Sequence, residues 1–186
     1  MTSFSQTLEE TLQRSIDFAS QKKHEHVTIE HLLLSLTDDK DAQKVFLACD
    51  LDINILKNDL VEFIDDQDYL IVDKEDLIPE PTAGYSTVIT RAAIHVQQSG
   101  NQEVNGGNVL VAIFSQQESQ SVYFLEKQEM SRYDAVQYMA HGIKKNQNYS
   151  NIGSNENFSN YDNEDSETSK ESALESFCEN LNIKAK

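Results

Sequence analysis

Basic residues are scarce in this chain: 15 Lys and Arg stand against 32 Asp and Glu, a formal net charge of −17. Nucleic-acid and anionic-membrane binding are therefore excluded as functions, because counterion release needs several cations on one face. Only two cysteines occur, Cys49 and Cys178, with no CxxC spacing, so they read as a reduced thiol pair rather than a disulfide or zinc framework. None of the six glycines begins a Gly-x-x-x-x-Gly-Lys-Ser/Thr run, which excludes ATP hydrolysis through a phosphate-binding loop. No apolar stretch approaches the roughly 20 residues of a bilayer span. The start, "MTSFSQTLEE", lacks the basic and apolar regions of a signal peptide. These absences together point to a soluble, cytoplasmic protein.

What is present divides near Lys145. Before it, apolar residues recur at helical spacing. After it, "NQNYSNIGSNENFSNYDNEDSETSKES" is almost wholly Asn, Ser, Glu and Asp, and reads as a disordered acidic linker over 146–172. Pattern returns over 173–186, where Leu174, Phe177 and Leu181 fall at i, i+3, i+7.

Residues 1–145 read as all-α. Leu8, Leu12, Ile16 and Ala19 form the stripe of a first helix opening near Ser3 or Ser5. Thr28 caps a second, 29–36, which is apolar nearly all round and so belongs in the middle of a core. Asp39 or Asp41 begins a short third helix, and Asp52 caps a fourth carrying Leu56, Leu60 and Ile64. Pro79 and Pro81 mark a connection from about 65 to 84 where helix is disfavoured.

The pattern then restarts. A shift of 77 places Leu12 on Ile89, Arg14 on Arg91, Val27 on Val104, Leu33 on Leu110, Leu36 on Ile113 and Val45 on Val122. Asn105 takes the capping place of Thr28, and Ser131 that of Asp52. The sequence thus predicts two four-helix units sharing one core with pseudo-twofold symmetry.

"HEHVTIEHLLLSL" in the first unit and "GNQEVNGGNVLVAIFSQQESQSVYFL" in the second resemble the double Clp repeat, the N-terminal domain of Clp-family ATP-driven unfoldases. Within that family they are most similar to the ClpA branch. "ALESFCENLNIKAK" resembles the segment leading into its first ATPase module. The resemblance implies an eight-helix domain on a flexible tether, with no catalysis of its own. It also implies continuation past Lys186 into AAA+ modules that hold ATP and Mg and feed the ClpP peptidase as a hexamer. The isolated 186 residues would be monomeric. Two other readings are a free-standing Clp-repeat adaptor or decoy in proteolysis, and an uncharacterised helical enzyme.

Family members dock a ClpS-type adaptor through acidic residues around the connection between the first two helices and through a Pro-Thr that opens the second repeat. Carried over, that surface is Glu25, Glu30 and Thr82, with Thr87 where an arginine is often found. A related member reads phosphorylated arginine with one glutamate per repeat. Here Glu30 keeps the first, and the shift of 77 puts Gly107 in place of the second, so a symmetric receptor is not expected.

His24, His26 and His31 lie beside Glu25 and Glu30, a set that can be imagined on zinc but lacks an evident fourth ligand. The expectation is no metal, with His24 and His26 on a solvated loop edge and His31 packed at the helix surface. In "HEHVTIEH" the histidines flanking Glu25 stand at i and i+2, which excludes the HExxH protease geometry. No nucleophile elbow supports a Ser-His-Asp set.

Overall fold

The computed structural model describes residues 2–73 and 78–146, all within one compact unit, so the linker from 147 onward and the 173–186 segment lie outside the described residues. Eight α-helices appear among them: α1 Gln6–Gln21, α2 Ile29–Leu36, α3 Lys40–Ala48, α4 Ile53–Asp65, α5 Ala83–Gln98, α6 Gly106–Ile113, α7 Gln120–Lys127 and α8 Arg132–His141. Adding 77 to the bounds of α1 and α2 gives those of α5 and α6. Each helix begins on a polar cap: Ser5, Thr28, Asp39, Asp52, Thr82, Asn105, Ser119 and Ser131. Except at Thr28, whose hydroxyl meets His31 Nδ1, those side chains accept otherwise orphaned backbone N–H groups, which is why the chain can turn sharply between short helices.

Helix ends repeat as well. Lys23 N–H donates to Ser20 O and His24 N–H to Ala19 O, the paired bonds of a Schellman stop, with Lys23 left-handed at φ 57°. Gly100 and Asn101 make the same bonds to Gln97 and Val96, with Gly100 at φ 78°. Asp50 after α3 and Glu129 after α7 form a second such pair, at φ 57° and 59°. These last two are separated by 79, not 77. Two residues have been inserted after α6, so Val45 corresponds to Phe124 and not to Val122.

Four short strands join the two repeats, and the periodicity gives no sign of them. β1 (Ser3–Phe4) pairs in parallel with β4 (Glu103–Val104), and β2 (His26–Val27) with β3 (Glu80–Pro81). The register is Ser3 to Glu103 and His26 to Glu80, and the shift of 77 converts one pair into the other. Each repeat therefore borrows its strand partner from the other. A 3-10 turn, Asp68–Leu70, opens the connection between repeats.

α2 and α6 lie at the centre. Leu32, Leu33, Leu36, Leu110 and Ile113 are fully buried, and α2 packs on α1, α4, α5, α6 and α7. Across the pseudo-axis, Ser15 and Tyr85 hydroxyls hydrogen-bond at 3.0 Å inside the core. No described helix is long and apolar enough to cross a membrane. Cys49 is buried and its thiol is pushed up to about 12, chiefly by burial, so it is inert as a nucleophile.

The inter-repeat contact of α3 with α6 depends on Asp39. Asp39 is 2% exposed; its Oδ1 accepts Asp41 N–H and Ala42 N–H, and Thr11 Oγ1 lies 3.0 Å from Oδ2. A Cβ on Gly106 would lie 2.1 Å from Asp39 Oδ1. Gly106→Ala should accordingly lower unfolding free energy by roughly 1–3 kcal/mol, since either the cap or the helix contact must yield. Urea denaturation reads this directly, and a change within about 0.5 kcal/mol would contradict the close contact.

Candidate functional site

Two of the residues singled out in the sequence, Glu25 and Thr82, come together where β2 and β3 meet. Glu80 N–H donates to Glu25 O at 2.9 Å and Thr82 N–H to Val27 O at 3.0 Å. Positions 25 and 82, which are 57 apart in sequence, are thereby held on adjacent backbones. Glu25 is half-buried, and its own N–H donates to Leu70 O at 2.8 Å. Thr82 caps α5, its Oγ1 accepting Tyr85 N–H at 3.2 Å. Thr87 is exposed on α5, with its hydroxyl turned back onto Ala83 O at 2.8 Å.

Glu30 is placed differently. It stands in the first turn of α2, half-buried, and its Oε1 accepts from both the N–H and the hydroxyl of Ser121 at 3.3 Å. Ser121 lies in the first turn of α7, so the carboxylate sits where the unsatisfied amides and positive dipole end of that helix favour an anion. Glu30 thus ties α2 of one repeat to α7 of the other. Position 107, its counterpart, is Gly, and the Met139 side chain of α8 lies over it, with Sδ 2.8 Å from where a Cβ would stand. The corresponding junction in the other direction, α6 on α3, uses Asp39 instead.

Next to Glu30 is a cleft of about 220 Å³ that includes His31, Phe63, Gln67, Leu70 and Glu118. His31 and its neighbour His24 correct the sequence reading. His24 is 2% exposed and His31 1%, so neither is solvated. Thr28 N–H donates to His31 Nδ1 at 3.2 Å, which leaves that nitrogen without a proton. The neutral ring then carries its proton on Nε2 and donates to His24 Nδ1, 3.0 Å away. His31 is the third residue of a capping box, a place usually held by Glu or Gln. Asn108 fills it in the second repeat, accepting Asn105 N–H at 3.0 Å. Both ring nitrogens of His31 are therefore engaged within the fold. His26 is half-buried in β2, and no group of three or more His, Cys, Asp or Glu among the described residues is placed to share a metal ion.

Residues 3–128 match the family described as the Clp repeat (R) N-terminal domain. The chain belongs to that family. A ClpA homolog protein of Fuscovulum blasticum is 47% identical over 189 residues, covering 99% of this chain and 24% of that protein. The chaperone protein ClpB of Chlamydia pneumoniae is 28% identical over 116 residues, 62% of this chain and 13% of that one. The chain thus spans about a quarter or less of these relatives' lengths. The Hsp104 N-terminal domain from Candida albicans superposes with a TM-score of 0.62 at 13% identity, over 76% of this chain and 94% of that one. The N-domain of ClpV from Vibrio cholerae gives 0.60 at 18%, over 73% and 81%. A ClpV N-domain solved in complex with a VipB peptide gives 0.58 at 16%, over 74% and 84%. The eight-helix double Clp repeat of a ClpA-like protein is therefore the fold in hand.

Burial, then the neighbouring His24, holds His31 down at about 4, and burial followed by Lys22 lowers His24 against the pull of Asp65. In the unfolded chain His31 returns to its ordinary 6.5. Above that pH both states are neutral and stability is unaffected. As pH falls from 6.5 towards 4, the unfolded chain takes up a proton that the folded ring refuses, so stability falls. The loss by pH 4.5 is roughly 2–3 kcal/mol at about 1.4 kcal/mol per pH unit. His31→Asn, which copies the second repeat, should show a correspondingly shallower loss between pH 7 and 4.5 in urea denaturation. Equal slopes in the two proteins would show that His31 is not the group responsible.

Proposed function

We propose that this Clp repeat domain is the adaptor- and substrate-receiving part of a ClpA-like AAA+ unfoldase that feeds the ClpP peptidase in the cytoplasm. A ClpS-type adaptor docks on the β2–β3 corner, where Glu25, Thr82 and Thr87 present the contacts and Glu30 supplies charge from the adjoining helix. The observation that carries this reading is the parallel pairing of β2 with β3, which sets Glu25 beside the cap of α5. ATP and Mg act in modules beyond these residues, and the domain contributes binding without bond-making. The N-domain of ClpV, a fold neighbour, was solved with a VipB peptide, which supports protein segments as the ligand class. The net charge of −17 supports a partner with basic residues at the contact.

Two charge reversals test the reading, because the two glutamates are held so differently. Glu25→Lys replaces attraction by repulsion and should weaken ClpS-type adaptor binding by roughly 1–3 kcal/mol, with unfolding free energy changed by less than about 1 kcal/mol. Glu30→Lys should weaken binding and also destabilise the fold by roughly 1–2 kcal/mol, because a cation would then face the α7 N-terminus. Titration calorimetry with thermal melts separates the two effects. Full adaptor affinity in Glu25→Lys would refute docking at this corner.

A further inference from the structure

Between α1 and α4, above Leu34 and Ser35 of α2, lies a groove of about 410 Å³ on the first repeat. Its apolar surface is incompletely covered: Phe18 and Leu34 are half-buried and Val61 is 37% exposed. A rim of four charges surrounds it. Lys57 Nζ and Asp38 Oδ1 neutralise each other at 2.6 Å, and Asp17 accepts from Gln13 at 2.8 Å. Arg14 differs. Its Nη2 donates to Thr11 Oγ1 at 2.8 Å and Ser35 O at 3.3 Å, which fixes the guanidinium plane at the edge of the apolar floor. Among the described residues no carboxylate comes within ion-pair distance of it. In a chain with more than twice as many acids as bases, Arg14 is thus a held cation whose remaining donors have no anionic partner.

We propose that this groove docks a protein segment that carries an aliphatic or aromatic side chain next to a carboxylate. The apolar side chain covers Phe18, Leu34 and Val61, and the carboxylate meets the free edge of the Arg14 guanidinium. A guanidinium already held on one side loses little freedom on pairing, and its fork matches a carboxylate in two-point contact. The negative field of the domain as a whole disfavours polyacidic partners. At physiological salt that field is screened beyond about 8 Å, so one carboxylate at contact distance still gains from the pair. The groove contains none of Glu25, Thr82 or Thr87, so its ligand and the adaptor occupy different faces, and failure of one reading leaves the other intact.

The test is an amide-shift titration of the ¹⁵N-labelled 186-residue chain. The probe is the capped pentapeptide acetyl-Gly-Leu-Leu-Glu-Gly-amide, with Glu→Gln and Leu→Ser peptides alongside. Saturable shifts at Phe18, Leu34 and Val61 are expected with the first peptide, roughly tenfold weaker binding for Glu→Gln, and weaker still for Leu→Ser. In Arg14→Gln the preference for Glu over Gln should disappear while binding of the Gln peptide persists. Val61→Asp, at an exposed position on another helix, should weaken all three. Should Arg14→Gln fail to fold, the Glu and Gln peptides on the unaltered protein still decide the point. Shifts confined to other faces, no saturable shift, or a Glu preference that survives Arg14→Gln would each overturn the proposal.

Discussion

Two residues of parallel strand at each of two corners hold this domain in its form. β1 and β2 belong to the first repeat and β3 to the start of the second, yet every strand partner lies across the pseudo-axis. A parallel pair cannot be closed by a tight turn and needs a long crossover. Here the chain joining β2 to β3 carries α2 to α4 and the chain joining β1 to β4 carries α1 to α5, so each pairing closes only around folded helices. The hydrogen bonds themselves contribute modestly, about 1 kcal/mol each. Their larger consequence is geometric. They fix the entry of α1, α2, α5 and α6, and so direct Leu32, Leu36, Leu110 and Ile113 into one shared interior where each is fully buried. Burial of such side chains contributes roughly 1.5–3 kcal/mol apiece, which makes the interior the main source of stability.

The same cross-pairing explains how a symmetric scaffold carries one-sided chemistry. Backbone positions are duplicated, including the strand register and the left-handed helix stops, whereas side chains at matched positions have diverged. Glu30 reaches α7, and its counterpart Gly107 leaves space filled by Met139. Asp39 caps α3 under Gly106, an arrangement with no duplicate. Each inter-repeat junction has found its own way to satisfy a helix N-terminus. Glu30 therefore serves the fold first, and any part it takes in binding is added to that service. Glu25 and Thr82 are brought together by backbone bonds, and the Thr82 side chain in addition caps α5.

Much of this was legible from the residues. Apolar spacing and polar caps located α1 to α4 and α8, and the shift of 77 carried α1 and α2 onto α5 and α6, because an amphipathic helix leaves a periodic trace. The strands left none, since two residues are too few for alternation to register. The two-residue insertion after α6 was hidden because Val122 is apolar like Val45, and only the left-handed pair Asp50 and Glu129 fixes the true register. The convergence of Glu25 with Thr82 was implied by family resemblance, and the β2–β3 pairing supplies its physical cause. His31 was misread as a surface residue because its task is a capping box, in which imidazole is an unusual choice. Its bond to His24 depends on a chain reversal that no periodicity reveals.

If each repeat completes the other, neither half should fold alone. The direct measurement is to express residues 1–77 and 78–146 separately and record amide spectra of each, then of an equimolar mixture. With strand partners and one side of the interior missing, each half should give the collapsed amide dispersion of an unfolded chain. The mixture should recover dispersed resonances for Val27, Thr82 and Val104. A dispersed spectrum and cooperative unfolding from residues 1–77 alone would contradict the shared interior and the strand pairing on which the rest depends.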